Sequence, residues 1–462
     1  MQRSAMEHLK DWKTRENRKP LVIRGARQVG KSHLVRAFGE QSFESLAEVN
    51  LDTDQSVVPY FDRADPLETV HLLELHLGIT IEPGKTLLFL DEIQAAPQLL
   101  AKLRYFYEKL PGLHVVAAGS LLDFTLEQHD FSMPVGRIEY LHLGPMNFSE
   151  FLLASGHERL WDFVKTFKMG DEVPEALHNK LSELVVSFSV VGGMPESVAT
   201  FVKTQSFRTC DLIKDSLLAT FKDDFSKYGK RVNIQHILTV YEALPKLVGQ
   251  KLKYVNISRD IRSHELSKAL HMLSLARICY LVHHTSCNGI PLGAETDNSI
   301  FKPLFLDIGL LLSACGLSMT DIPNAEKLML VNAGQLSEQF VGQHLLYRQP
   351  SHKQPELHYW LREKASSNAE VDYVIACGQH IIPIEVKAGK TGHLRSLHQF
   401  TLEKKRHFAI KINSAPPSLV SASGRMPDGR EYESKILNIP FYMVEKLGSA
   451  HPDFLAPLLE AR

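Results

Sequence analysis

The sequence is short of cysteine, of net charge and of long apolar runs, and each shortage removes a class of protein. Five cysteines in 462 residues, Cys210, Cys279, Cys287, Cys315 and Cys377, are scattered without CxxC spacing, which argues against both a disulfide framework and a zinc site. A reducing cytoplasm is the expected compartment. With 52 Lys and Arg against 53 Asp and Glu, the net charge of -1 excludes a globally basic nucleic-acid coat, though local basic patches stay open. No apolar run approaches the length of a membrane span, and the opening MQRSAMEHLKDWKTRENRKP lacks the apolar centre of a signal peptide, so no membrane partner is expected. What is present is globular: 44% hydrophobic, 23% charged, and long enough to need two to four domains.

In the opening segment Met6, Leu9 and Trp12 recur at helical spacing, which predicts a short packing helix. After it, LVI leads into Gly25-Ala26-Arg27-Gln28-Val29-Gly30-Lys31-Ser32 and then His33 and a helical pattern through Leu34, Val35 and Phe38. This is G-x-x-x-x-G-K-S between a strand and a helix, the context in which it binds nucleotide phosphates. Its glycines let successive N-H groups face the β-phosphate, and the helix N-terminus adds its dipole. Lys31 is expected on the β- and γ-phosphates of ATP, and Ser32 on Mg²⁺.

The apolar run Leu87 to Leu90 then ends in Asp91-Glu92, as a buried parallel strand delivering two acids would. Asp91 is expected to hold Mg²⁺ through water and Glu92 to act as general base. The run LHVVAAGS ends at Ser120, either a sensor of the γ-phosphate or a helix cap. Arg137 is either a transition-state cation, from the same or a neighbouring subunit, or a surface arginine.

The runs RGARQVGKS, LLFLDEIQ, AAGS, GRIEYLHLGPMNFSEFL, VVGGMPESV and KPLFLDIGLL together resemble a prokaryotic family of AAA-type ATPases. That family carries a second, C-terminal domain of unknown function with a restriction-endonuclease-like fold. The resemblance spans nearly the whole chain, and it implies ATP binding and hydrolysis without fixing a substrate for the second part.

From about Gly156 to Gly229 the pattern is helical, broken at Gly192-Gly193 and Pro195, and reads as a lid. Beyond it come a helix, a short Ser-started helix, a longer helix and strands, the order of a winged helix-turn-helix. Lys253, Arg259, Arg262 and Lys268 punctuate it, suited to DNA phosphates or to a plain spacer. CNGIPLGAETDNSIFK reads as a loop feeding the strand-like KPLFLDIG.

A helix carrying Glu338 opens the last region. A strand, a strand from Val371 to Ala376, a turn at Gly378 and a strand from Ile381 to Lys387 follow. In IPIEVK, Glu385 and Lys387 share the face opposite Ile382, Ile384 and Val386. A helical Glu, an Asp on the second strand and Glu-x-Lys on the third is the order of a D...ExK nuclease core. Asp372 and Glu385 are the expected Mg²⁺ ligands, with the Val386 carbonyl as a third. Glu338 would complete the shell or hold a second ion, Glu370 would replace or assist either acid, and Lys387 would position or help deprotonate water.

The expected architecture is therefore α/β: a P-loop NTPase core with a parallel sheet over 1–155, a helical lid over 156–235, a winged-helix-like region over 236–330 and an endonuclease-like α/β domain over 331–462. The expected function is ATP hydrolysis coupled to Mg²⁺-dependent action on DNA, in a monomer or a homo-oligomer. The rival is an ATP-driven switch or scaffold whose nuclease-like part binds without cutting.

Overall fold

Short apolar runs alternating with helices build a parallel sheet near the N-terminus, because each strand must return to the same edge through a helical crossover. In a computed structural model the strands are β1 (Leu21–Arg24), β2 (Ser45–Asn50), β3 (Thr86–Asp91), β4 (His114–Gly119) and β5 (Glu139–His142). They pair in the order β2-β3-β4-β1-β5, every pair parallel. The accompanying helices are α1 (Ala5–Thr14), α2 (Lys31–Ser42), α3 (Pro66–Leu77), α4 (Leu99–Lys109) and α5 (Leu122–Gln128). Strands β3 and β4 are buried along their whole length, which their uninterrupted apolar composition requires. The structure describes all residues except 64, 129–133, 229–231, 318–332, 365, 366, 390–393, 428, 450, 452, 456–458 and 460–462; at 126–128, 227, 228, 333, 363, 364, 367 and 368 it describes backbone alone.

The chain divides into two compact units. The first comprises Met1–Met146 with Leu275–Arg277 and Ser351–Gln354. Its core packs Val22, Leu88, Leu90, Val115 and Ala117 of the sheet against Leu100, Leu103 and Phe106 of α4. The opening helix forms as its spacing predicts: Leu9 and Trp12 are buried, and the Trp12 indole N-H donates to the Lys19 carbonyl at 2.8 Å.

The second unit holds Asn147–Ser274, Ile278–Pro350 and Pro355–Arg462. The segments expected as lid, winged helix and C-terminal domain fall within it except for Leu275–Arg277 and Ser351–Gln354, and the expected boundary at 330 lies outside the described residues. Its helices are α6 (Phe148–Ala154), α7 (Glu158–Thr166), α8 (Glu175–Val191), α9 (Pro195–Thr204), α10 (Phe207–Asp224), α11 (Ile234–Leu247), α12 (Ser263–Leu275), α13 (Ile308–Ala314), α14 (Ala333–Leu346) and α15 (Arg395–Glu403). Its strands are β6 (Cys279–Thr285), β7 (Thr296–Phe305), β8 (His358–Lys364), β9 (Ser367–Cys377), β10 (His380–Val386), β11 (Phe408–Asn413), β12 (Ser418–Arg425) and β13 (Glu431–Pro440). They form one mixed sheet, ordered β12-β13-β11-β10-β9-β8-β6-β7. The β6–β7 hairpin, which stands where a wing would follow α12, is thus an edge of that sheet.

Two strands run longer than their sequence suggests. Thr296 to Lys302, expected as loop, is the first half of β7, held by an antiparallel ladder to β6 that shifts register between His283 and His284. Backbone pairing at an edge overrides the turn preference of Asp297 and Asn298 there. Likewise β9 starts at Ser367 and not at Val371, so Glu370 and Asp372 share one strand and one face.

The glycines of VVGGMPESV and KPLFLDIGLL meet each other. Gly192 ends α8 at φ +78°, and a Cβ on Gly309 would stand 2.6 Å from the Gly192 Cα. The fully buried Asp307 caps α13 through the Leu310 N-H at 3.0 Å and accepts the Gly193 N-H at 2.7 Å. Burial raises its carboxyl, against those backbone hydrogen bonds.

Candidate functional sites

The phosphate loop is built by two positions that only glycine fits. A Cβ on Gly25 would lie 2.1 Å from the Leu143 carbonyl oxygen, and Gly30 takes φ +88° to open α2. Ala26 and Val29 are buried, Arg27 and Ser32 half-buried, and Gln28 and His33 exposed. The buried Lys31 ammonium donates to the carbonyls of Ala26 at 2.7 Å and Gly25 at 3.2 Å. Burial lowers it to about 8, with Glu92 and Asp91 pulling the other way. Arg3, which the sequence did not single out, donates to the Val29 carbonyl at 2.8 Å and the Gly144 carbonyl at 2.7 Å, tying the loop to the segment after β5.

At the carboxyl end of β3, Asp91 is buried and accepts the Glu92 N-H at 3.0 Å. Burial raises its carboxyl, opposed by a hydrogen bond from the Ser32 hydroxyl. Ser32 and Asp91 thus already face one another as hard oxygen donors, and this pair fits Mg²⁺. Glu92 sits at φ +54°, and its carboxylate accepts from the Gln94 side-chain amide. The other end of that side chain, Gln94 Oε1, is buried without a hydrogen-bond partner, and so is Ser120 Oγ. Because β4 lies between β1 and β3, Ser120 at its end stands between the phosphate loop and the acidic pair. Gly119 makes room, since a Cβ there would stand 2.5 Å from Gln94 Oε1. Gln94 was legible only as part of LLFLDEIQ.

Arg137 is not brought to this site within its own chain. It precedes β5, whose Glu139 pairs with Leu21 at the start of β1, whereas the loop follows the end of β1. Its guanidinium is exposed and bonded to Glu108 at 2.8 Å.

A glycine loop between strand and helix, joined to an acidic pair on a buried strand one removed, defines a P-loop ATPase of the AAA type. Residues 17–152 match the model of the AAA domain. Residues 182–321 and 333–442 match two domains of unknown function, DUF8612 and DUF4143. Among solved structures, the chain is similar to the Walker-type ATPase paby2304 of Pyrococcus abyssi: 15% identity, 67% of this chain and 94% of that one, TM-score 0.41. It is also similar to the ORC2 protein of Aeropyrum pernix in its ADPNP-ADP complexes: 11% identity, 70% and 96% coverage, TM-score 0.33. A third likeness is to AMPPCP-bound DnaA of Aquifex aeolicus: 14% identity, 58% and 86% coverage, TM-score 0.25. No curated protein matches the chain. No described helix is long and apolar enough to cross a membrane.

The second site lies on the mixed sheet. Strands β9 and β10 pair antiparallel, bringing Asp372 beside Glu385, and Asp372 Oδ2 accepts the Val386 N-H at 2.7 Å. Glu385 is buried; its Oε1 accepts from Lys387 Nζ at 2.7 Å, while its Oε2 has no hydrogen-bond partner. Glu338 reaches the same place from α14, and Glu370 from β9. What joins them was not foreseen: the buried Lys302 ammonium, 3.1 Å from Glu338, 3.2 Å from Glu370 and 4.0 Å from Asp372.

Burial, Asp372 and Glu370 push Glu338 up to about 8 against Lys302, and burial and Asp372 push Glu385 up to about 7 against Lys387 and Lys302. Burial alone would lower Lys302, but Glu338, Asp372 and Glu370 hold it well above its ordinary value. Lys387 is likewise raised, by Glu385 against burial. Lys411 is the register partner of Glu385 on β11, and burial and Lys387 lower it.

Among the described residues no three His, Cys, Asp or Glu side chains converge as a metal cage. The fit to Mg²⁺ therefore rests on Asp372 and Glu385. The orphan oxygen of Glu385, buried beside Asp372, is a hard donor that a cation would engage. A cleft of about 490 Å³, lined by Gln250, Lys251, Lys253, Asn256, Leu361, Ala369 and Glu370, opens beside the cluster.

Proposed function

We propose that this AAA-type ATPase couples its nucleotide cycle to Mg²⁺-dependent cleavage of DNA by a nuclease-like C-terminal part. The observation that carries the second half is the Glu385 carboxylate, buried beside Asp372 with one oxygen unpartnered, while Glu370 of the same acidic cluster lines a cleft bearing Lys251 and Lys253. Such lysines suit the phosphates of a strand led toward the acids.

At the nucleotide, the loop N-H groups from Gly25 to His33 and the dipole of α2 hold the phosphates. Lys31 exchanges the Gly25 and Ala26 carbonyls for phosphate oxygens. Mg²⁺ held by Ser32 and Asp91 would neutralise phosphate charge, as it would at the scissile phosphate on Asp372 and Glu385. Glu92, oriented by Gln94, takes the proton of the attacking water, and the unpartnered Ser120 hydroxyl supplies a hydrogen bond to the γ-phosphate. At the second site Lys387 aligns the attacking water beside Glu385.

One observation favours the rival reading of a non-cutting switch or scaffold: Lys302 already neutralises part of the acidic cluster. A cleavage assay separates the two. Plasmid and single-stranded DNA are incubated with Mg²⁺ or Mn²⁺, with and without ATP, using wild type, Lys387→Ala and Lys31→Ala. Cutting by wild type that Lys387→Ala abolishes and Lys31→Ala makes ATP-insensitive supports coupled cleavage. ATP hydrolysis without any cutting leaves the switch.

A further inference from the structure

Lys302 takes no part in the cleavage proposed above, yet it is fully buried at the centre of the acidic cluster. Its ammonium donates to Glu338 and Glu370, stands 4.0 Å from Asp372, and lies 5.1 Å from the ring centres of both Tyr359 and Tyr373. Carboxylates on one side and aromatic faces on the other make a built cation cage, without which a buried ammonium would be prohibitively costly. The cage is braced as well: the Tyr373 hydroxyl donates to the Glu338 carbonyl at 2.9 Å, and Gly249 leaves space that a Cβ would take from Glu338 Oε2, at 2.9 Å.

The four carboxylates of Glu338, Glu370, Asp372 and Glu385 are thus paired with two ammoniums, Lys302 and Lys387. With all four ionised, the difference is two negative charges, which one divalent ion cancels and two would exceed. The only carboxylate oxygen of this group that is buried and unpartnered among the described residues belongs to Glu385 and not to Glu338.

We propose that the Lys302 ammonium stands where a second divalent ion would, so that the site takes one ion, on Asp372 and Glu385. Glu338 and Glu370 are then counterions of Lys302 rather than metal ligands. This rests on the metal-site reading above and narrows it to single-ion chemistry.

The test is Mn²⁺ binding to the nucleotide-free full-length chain, followed by electron paramagnetic resonance, in an Asp91→Asn background that silences the phosphate-loop site. The expected result is one ion per chain. Asp372→Asn should weaken it at least about tenfold, and Glu338→Gln and Glu370→Gln should leave it within about threefold. Lys302→Met, which frees the cage, should raise the stoichiometry to two; if that variant does not fold, the two glutamine variants decide. Two ions in the parent chain, or a tenfold loss with Glu338→Gln, overturns the proposal and leaves the metal site standing. No Mn²⁺ bound at all overturns both.

Discussion

At the residue scale, the proposed ATPase chemistry depends on side chains that hold others in place. Gln94 is one: a single amide group orients Glu92, and the glycine at 119 exists to admit it. Gly119→Ala would put a methyl group 2.5 Å from Gln94 Oε1 and 3.0 Å from Ile93 Cγ2. The colliding atom ends a flexible side chain, so Gln94 moves and the fold survives. We expect ATP turnover to fall about tenfold or more, part of the roughly 100- to 10,000-fold that general-base catalysis contributes. Nucleotide affinity, set by the loop and Lys31, should hold. Steady-state kinetics beside titration of a fluorescent ATP analogue reads both; a loss of affinity equal to the loss in turnover would refute this role.

At the element scale, VVGGMPESV and KPLFLDIGLL work as a clasp, with Asp307 bridging α13 to Gly193 and two glycine backbones in contact. In Gly309→Ala the new Cβ meets backbone on the partner segment, which cannot rotate away. Overpacking of this kind costs about 2–3 kcal/mol, to be read from the urea midpoint at constant slope. A midpoint unchanged from wild type would show that the contact relaxes freely. The clasp also marks what the sequence could and could not disclose. The phosphate loop, Asp91-Glu92 and the Asp372, Glu385 and Lys387 set were legible because each lies in a contiguous strand, turn or helix with a fixed period. Lys302 and Arg3 were not, since Lys302 finds Glu338 and Glu370 at 36 and 68 residues' separation, and Arg3 finds Val29 and Gly144 at 26 and 141. The first half of β7 was missed for the same reason, its strand state coming from pairing with β6 rather than from its own turn-prone residues.

At the scale of the whole molecule, the two units respond to acid differently. In the first, burial lowers His114 to about 4, aided by Arg18 and Lys13 against a hydrogen bond to the Lys13 carbonyl, and lowers His142 to about 4, aided by Arg277 and Arg24 against Asp123. An unfolded histidine titrates near 6.5, so between pH 6.5 and 4 the unfolded chain binds more protons than the folded one. Stability from these two is fully present above pH 6.5 and is lost as pH falls through that window; the raised Asp91 opposes it only in part. The second unit has His344 and His451, also lowered to about 4 by burial. They are countered by Glu445, pushed up by burial to about 7, and by Glu338 and Glu385, each of which binds its proton more tightly folded than unfolded. Those carboxyls add stability as pH falls from 7 toward 4.5. In chelator-treated protein, hydrogen exchange corrected for intrinsic rate should therefore show β1 and β4 losing protection at pH 5 relative to pH 7, while β9 and β10 keep theirs. His114→Gln, which retains a donor for the Lys13 carbonyl at 3.2 Å and removes the titration, should recover part of the loss in β4. Equal loss in both units, or none in β4, would show that the buried histidines of the first unit do not set its acid limit.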